Sequence, residues 1–326
     1  MKKILSIILA ISIIFILGAC SKNDTAKTVV IYSSAEDFRN EYFIKRIKEE
    51  FPEYEIEVQY FPSGNNAAKL KAEGLATECD IILALETGYM EAISTLLADL
   101  SEYDVSHYQE DIISKDANYL IWERFSGAII INPSVLEKNN LEIPKSYDDL
   151  LKSEYKGFIS MPNPKSSITG YIFMKNILNV RGEDEGFKYF DKLSENILQF
   201  TSSGSGPIKA LVQEEVGIGL ALTYAAVNEI NKGSNLEIVF FEEGAPYSLD
   251  GIAMIEGKSD NKEVRDVFNF FADTLIYEDK QLFSPEKIFN EQIIEVESFP
   301  YDIKYADMTG IDDLYEKDTL LERWKY

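Results

Sequence analysis

Thr28-Val29-Val30-Ile31-Tyr32-Ser33-Ser34 opens the stretch that decides the fold, and it continues to Leu97. The β-branched density of 28–32 predicts a buried strand, and Ser33-Ser34 a polar turn. From Glu36 to about Phe51, with Phe38, Tyr42, Ile44 and Ile47 near helical spacing, the pattern predicts an amphipathic helix that Pro52 ends. Glu55 to Phe61 alternates as a strand, with Ile56, Val58 and Tyr60 on one face. Pro62-Ser63-Gly64-Asn65 turns into a second helix, Asn66 to Gly74. Asp80 to Leu85 reads as a third strand and Gly88 to Leu97 as a third helix. A βαβαβ opening of this kind predicts an α/β fold, a parallel sheet with helices on its faces. Such sheets bind ligands at the carboxyl ends of their strands. The loops Ser33-Ser34, Ser63-Gly64-Asn65 and Glu86-Thr87 are therefore the first binding candidates.

Working outward, the pattern changes near Trp122 to Ser126. Gly127 to Asn132 and Phe158 to Met161 read as strands, the second ending in Pro162-Asn163-Pro164-Lys165-Ser166-Ser167 before a helix from about Ile168 to Leu178. Another helix is predicted over Glu185 to Leu193. Thr201 to Pro207 leads into a helix to about Gln213, and Val216 to Leu222 and Asn235 to Phe241 are further strands. Gly251 to Ile255 returns as a strand, with helices predicted over most of the remainder. A second unit, 127–250, is thus inserted in a first made of 28–126 and 251–326. Crossovers near Ile121–Ser126 and Ser248–Gly251 form a two-strand hinge, so two lobes would close on a ligand between them.

The N-terminus places the chain. Lys2-Lys3, the apolar run Ile4 to Leu17, and Gly18-Ala19 before Cys20 have the layout of a secretory signal. The run is shorter than the ~20 apolar residues of a membrane span. A cysteine directly after the small residues predicts a lipoprotein: residues 1–19 as signal peptide, Cys20 lipidated, and 20–27 a flexible tether. Removing 1–19 leaves 30 basic against 56 acidic residues, a net charge of −26 in place of −24. Such a surface repels nucleic acid and anionic headgroups, which excludes both as partners and leaves the lipid to hold the protein at the membrane. With Cys20 acylated, Cys79 has no disulfide partner. A hydrophobic content of 45% then has to supply the core.

Two loops carry the most chemistry. Pro164 to Gly170 places Ser166, Ser167 and Thr169 at a helix start. Ser203-Gly204-Ser205-Gly206-Pro207 does the same before the next helix, with Pro207 suited to its first position. Helix starts present free N–H groups and partial positive charge, so they hold phosphate, phosphonate or carboxylate without Lys or Arg. The same hydroxyls also serve as helix caps. Tyr224 and Tyr247 fall where strands of the inserted unit should meet the cleft, and Asp80 and Asp250 adjoin cleft loops. Catalysis has little support. His107 is the single histidine and sits in a polar loop. No nucleophile is paired with it, no metal motif with His or Cys spacing occurs, and no cofactor is implied.

The lipobox, Val30-Ile31-Tyr32-Ser33-Ser34, Leu70-Lys71-Ala72-Glu73, Gly127 to Asn132 and Pro144-Lys145-Ser146-Tyr147-Asp148-Asp149-Leu150 resemble an extracellular solute-binding protein of an ABC importer. Tyr155 to Ser167 is the most specific match, and Pro207 to Leu220 and Tyr305-Ala306-Asp307-Met308 extend it over nearly the whole mature chain. The resemblance is to the branch of ferric-ion, 2-aminoethylphosphonate and hexose-phosphate binders. It implies a two-lobed periplasmic-binding-protein fold (type II), two parallel or mixed sheets flanked by helices. It further implies a lipid-anchored, extracytoplasmic monomer that captures a small solute for a permease and an ATPase. Ferric binders present paired adjacent tyrosines, whereas the matching place here reads Leu222-Thr223-Tyr224-Ala225, which is incomplete for a hard ferric ion. The serine-rich loops look like those of phosphonate and phosphate-ester binders. Carried over loop by loop, the ligand residues are Ser33, Ser34, Ser63, Gly64, Asn65, Thr87, Ser166, Ser167, Thr169, Ser203, Gly204, Ser205, Tyr224 and Tyr247. Glu86 or Asp250 would meet an amino or hydroxyl group at the ligand's other end. A ferric-ion binder, a thiamine-type binder and a ligand-presenting sensor subunit are the alternatives.

Overall fold

A computed structural model describes residues 27–114, 117–293 and 295–326. The signal peptide, Cys20 and all of the tether except Lys27, which opens the first strand, lie outside the described residues. The elements run β1 (Lys27–Ser33), α1 (Asp37–Glu50), β2 (Tyr54–Tyr60), α2 (Ser63–Glu73), β3 (Ile81–Glu86), α3 (Thr87–Ala92), β4 (Leu120–Ile131) and α4 (Pro133–Lys138). They continue as β5 (Ile159–Pro162), α5 (Ile168–Arg181), α6 (Glu183–Leu193), β6 (Ile197–Thr201), α7 (Gly206–Val212), β7 (Ile218–Leu222), α8 (Thr223–Asn231), β8 (Glu237–Val239) and β9 (Tyr247–Met254). The last helices are α9 (Lys262–Phe270), α10 (Ile276–Leu282) and α11 (Leu314–Arg323), with a π-helical turn at Phe271–Leu275 between the first two.

The opening βαβαβ unit forms as its pattern predicts, with β1 parallel to both β2 and β3. The full strand order is β2-β1-β3-β9-β4-β7-β5-β6, with β8 also on β4. Strand β4 runs through both lobes. The first half of β4, Leu120 to Ser126, pairs antiparallel with β9, and from Gly127 to Ile131 it pairs with β7. All twelve residues of β4 are buried. Strand β4 begins seven residues before the strand expected from Gly127 and runs through the first expected crossover, 121–126.

Lobe 1 holds one core, from Val29 to Trp122 and from Ile252 to Phe289. Lobe 2 has two smaller ones on the two faces of its sheet. The chain also crosses a third time. Ile288 and Phe289 belong to the lobe 1 core, Phe299 packs on Val227 of α8, and Ala306, Met308, Ile311, Leu320 and Trp324 lie in the main lobe 2 core. The tail grouped with lobe 1 from the sequence therefore packs on lobe 2 from Ala306 onward. Residues 283–293 and 295–313 are largely irregular where helices were predicted, because Pro285 and Pro300 remove backbone donors and Ser298 and Gly310 take positive φ. Other differences are local. Helix α2 starts at Ser63, so Ser63, Gly64 and Asn65 form its first turn and not a preceding loop. Strand β6 and helix α8 lack an apolar pattern strong enough to be read, and Tyr224 accordingly opens a helix.

Candidate functional site

Between the lobes lies a cavity of about 170 Å³, walled by Ser34, Ala35, Glu36, Arg39, Ser63, Glu86, Glu123, Phe125, Ile168, Leu222, Tyr224 and Asp250. Its floor is set by the sheet. Glu86 at the end of β3 is the register partner of Asp250 on β9, and Asp250 is that of Glu123 on β4. Three adjacent strands thus place carboxylates side by side, an arrangement that costs stability through like-charge contact. Glu36 adds a fourth from the start of α1.

Two cations answer this row. Arg39, 4% exposed, forks onto Asp279 through Nε (3.0 Å) and Nη2 (2.9 Å), and its Nη1 donates to Glu123 (3.0 Å) and Glu36 (3.1 Å). Burial opposes the Arg39 charge, but Asp279, Glu123 and Glu36 outweigh it and hold the guanidinium firmly protonated. Lys317 of α11 donates to both oxygens of Glu86, at 2.9 and 3.1 Å. Burial still pushes the Glu86 carboxyl above its ordinary value against that pull. At Glu123 burial is overcome by Arg39 and Lys280, which keep it ionised. Asp250 goes the other way: burial, then Glu123 and Glu86, push it well above the usual carboxylate range.

The lobe 2 wall is different. Ile168 opens α5 there, and Leu222 and Tyr224 come from the β7–α8 junction. The Tyr224 hydroxyl donates to Glu36 across the cleft at 2.8 Å. Behind Ile168 the two serine loops meet: a Cβ on Gly204 would lie 2.3 Å from the Thr169 hydroxyl and 3.6 Å from Leu222, so only glycine lets them approach. Neither Ser167 before α5 nor Ser205 before α7 makes a side-chain capping bond.

Of the residues expected from sequence, Ser34, Ser63, Glu86, Tyr224 and Asp250 line the cavity. Ser33 is fully buried behind the wall, donating to Asn40 at 2.7 Å and accepting the Ala35 N–H. Gly64 and Asn65 are exposed, and the buried amide that reaches Ser34 belongs to Asn66. Thr87 is buried and bonds Asp312. Ser166 and Ser203 are exposed, Ser167 is half-buried, and Thr169 is buried against Gly204. Ser205 lies in an adjoining groove with Glu36 and Tyr224. Tyr247 sits behind the hinge, where Arg124 lies 4.9 Å from its ring and 4.2 Å from that of Tyr305. Asp80 is structural, accepting the Val30 N–H at 2.9 Å and pairing with Lys258. Sequence reasoning missed Glu36, Arg39 and Glu123. Arg39 is hidden by its helix, since the α1 face that packs is Arg39, Asn40, Phe43 and Ile47, while Phe38 is 52% exposed. Glu123 interrupts the apolar strand 120–131, which was the available clue.

A family model described as bacterial extracellular solute-binding protein matches residues 80–279, more than half of the 326 residues. The chain belongs to this family. Its members are extracellular or periplasmic proteins that bind a small ligand and work with an ABC permease and ATPase. An uncharacterized protein of Haemophilus influenzae is 26% identical over 239 residues, covering 70% of this chain and 68% of that one. Among solved structures, the periplasmic binding protein AfuA of Actinobacillus pleuropneumoniae, with fructose 6-phosphate bound, aligns with a TM-score of 0.77 at 22% identity. That alignment covers 91% of this chain and 98% of AfuA. Iron-bound HitA of Pseudomonas aeruginosa aligns with a TM-score of 0.76 at 15% identity over 91% and 98% of the two chains. A periplasmic thiamin binding protein gives 0.73 at 15% identity over 91% and 95%. These likenesses show the type II periplasmic-binding-protein fold.

Proposed function

We propose that this solute-binding protein, anchored by a lipid on Cys20, captures as a monomer a small phosphonate or phosphate ester whose other end is rich in hydrogen-bond donors. The carrying observation is the asymmetry of the cleft: Glu86, Asp250 and Glu123 in register on one side, and the start of α5 on the other. Carboxylates repel an anionic head, so that end belongs on lobe 2, where the backbone donors opening α5 and the uncapped Ser167 and Ser205 hydroxyls complement it. The carboxylate row then accepts hydroxyl or ammonium donors, as charge-assisted bonds. The row by itself also favours a second reading, a thiamine-type cation, because four carboxylates against Arg39 and Lys317 leave the wall acidic.

A thermal-shift screen of residues 21–326, refolded to strip carried-over ligand, tests this with 2-aminoethylphosphonate, hexose phosphates, glycerol phosphates, inorganic phosphate, thiamine and ferric citrate. A ligand at a hundred times its Kd stabilises by about 2.7 kcal/mol. Stabilisation by phosphonate or phosphate esters supports the reading, and a shift with thiamine alone supports the second. Ser167→Ala and Ser205→Ala should each weaken capture by about 1–3 kcal/mol. Unchanged affinity in both would move the head elsewhere.

A further inference from the structure

Helix α11 is built onto lobe 2 but grips lobe 1 at one point. Leu320 and Trp324 lie in the lobe 2 core, Glu316 bonds Lys175 of α5 at 2.7 Å, and Arg323 pairs with Glu183 and Asp184 of α6. The residues beside the helix are tied the same way: Lys165 donates to the Trp324 carbonyl, and Asn179 to those of Asp307 and Thr309. Toward lobe 1, the contacts concentrate on four consecutive residues. Lys317 bonds Glu86, Thr87 bonds Asp312, Gly88 packs so tightly on the Asp312 carbonyl that a Cβ would sit 2.9 Å from it, and Tyr89 lies under the Lys317 ammonium. The same ammonium is 5.0 Å from the Tyr89 ring on lobe 1 and 4.9 Å from the Tyr171 ring on lobe 2. It is 9% exposed and its partner carboxylate 4%.

We propose that Lys317 is a closure latch: a lobe 2 cation that docks between two tyrosines onto the cleft carboxylate Glu86 and holds the lobes together. Rotation of lobe 2 away from lobe 1 carries α11 with it, because its core packing and its ion pairs with α5 and α6 are on lobe 2, and withdraws the ammonium from Glu86. Glu86 is then left beside Asp250 without a cation, so opening is opposed by the loss of a buried pair. Lys317 is not among the residues that wall the cavity, so it acts through Glu86 as a positioning residue. Its role is independent of which solute is captured. Thr87 and Asp312 form a second bolt beside it.

Small-angle scattering of ligand-free residues 21–326 tests the latch, comparing wild type with Lys317→Met, Lys317→Arg and Thr87→Ala. Lys317→Met should enlarge the radius of gyration with its far-UV circular dichroism unchanged. Lys317→Arg should restore the wild-type value, because a guanidinium also serves a carboxylate between aromatic rings. Thr87→Ala, which keeps every charge in place, should enlarge it by less than Lys317→Met. Equal radii for wild type and Lys317→Met overturn the proposal, and so does an enlargement that Lys317→Arg fails to reverse. If Lys317→Met does not fold, Lys317→Gln takes its place: no enlargement there overturns the latch.

Discussion

Replacing Glu286 by Gln should flatten the pH dependence of folding stability between about pH 5 and 8. Glu286 comes from the third crossing and is 1% exposed. One oxygen accepts the Ser126 N–H at 2.7 Å and the Ser126 hydroxyl at 2.8 Å; the other accepts the Tyr305 hydroxyl at 3.1 Å. Burial pushes this carboxyl from 4.5 up to about 7, against the pull of the Ser126 and Tyr305 bonds and of Arg124. Below 4.5 the folded and unfolded chains both carry the proton. Between there and about 7 the unfolded chain loses it while the folded one keeps it, so stability falls as pH rises. At about 1.4 kcal/mol for each unit of pH, the loss reaches about 3 kcal/mol by pH 8. A glutamine keeps an oxygen for Ser126 and an amide for Tyr305 and has nothing to ionise. Urea denaturation at pH 5, 6, 7 and 8 gives the two stability curves. They should nearly meet at pH 5 and separate by about 3 kcal/mol at pH 8, with Glu286→Gln the more stable. Parallel curves would refute the reasoning, since the remaining raised carboxyls, Asp250, Glu86 and Asp312, are common to both proteins.

Three further outcomes are expected. Arg39→Met strands Asp279 and Glu123 without their main cation and should cost about 3–5 kcal/mol in urea unfolding; a loss below 1 kcal/mol would mean the cluster relaxes freely. Gly170→Ala puts a Cβ within 2.5–2.7 Å of backbone atoms of Pro162, Asn163 and Pro164. It should cost about 1–3 kcal/mol and displace the serine loop from α5, which a crystal structure of the variant would show. Trp324→Ala should cost about 3–5 kcal/mol, and an unchanged melting temperature would remove the C-terminal segment from the lobe 2 core.

Much of the architecture was open to reading because strand and helix periodicity is local. Val29, Ile31 and Tyr32 announce β1, and Gly251 to Ile255 the return of β9, without reference to anything distant. The site was only half legible. Ser34, Ser63, Glu86, Tyr224 and Asp250 follow from the rule that strand ends face the cleft. Arg39 and Glu123 do not, because a charged residue in a packed face looks like a solvated one until its partner appears, and here Asp279 is 240 residues away. Tyr247 was misplaced for a related reason. Its strand does reach the hinge, but alternation turns this side chain to the rear, where Arg124 covers it.

The three crossings also bear on how the chain folds. The core of lobe 1 joins residues near Val29 to residues near Phe289, and the core of lobe 2 joins Ile129 to Trp324. Neither lobe is a contiguous stretch, and each must wait for chain that passes through the other. Contacts of such long sequence separation slow folding, so both lobes should complete slowly. Slow closure of the two cores suits a protein whose family works outside the cytoplasm and must be exported before it folds.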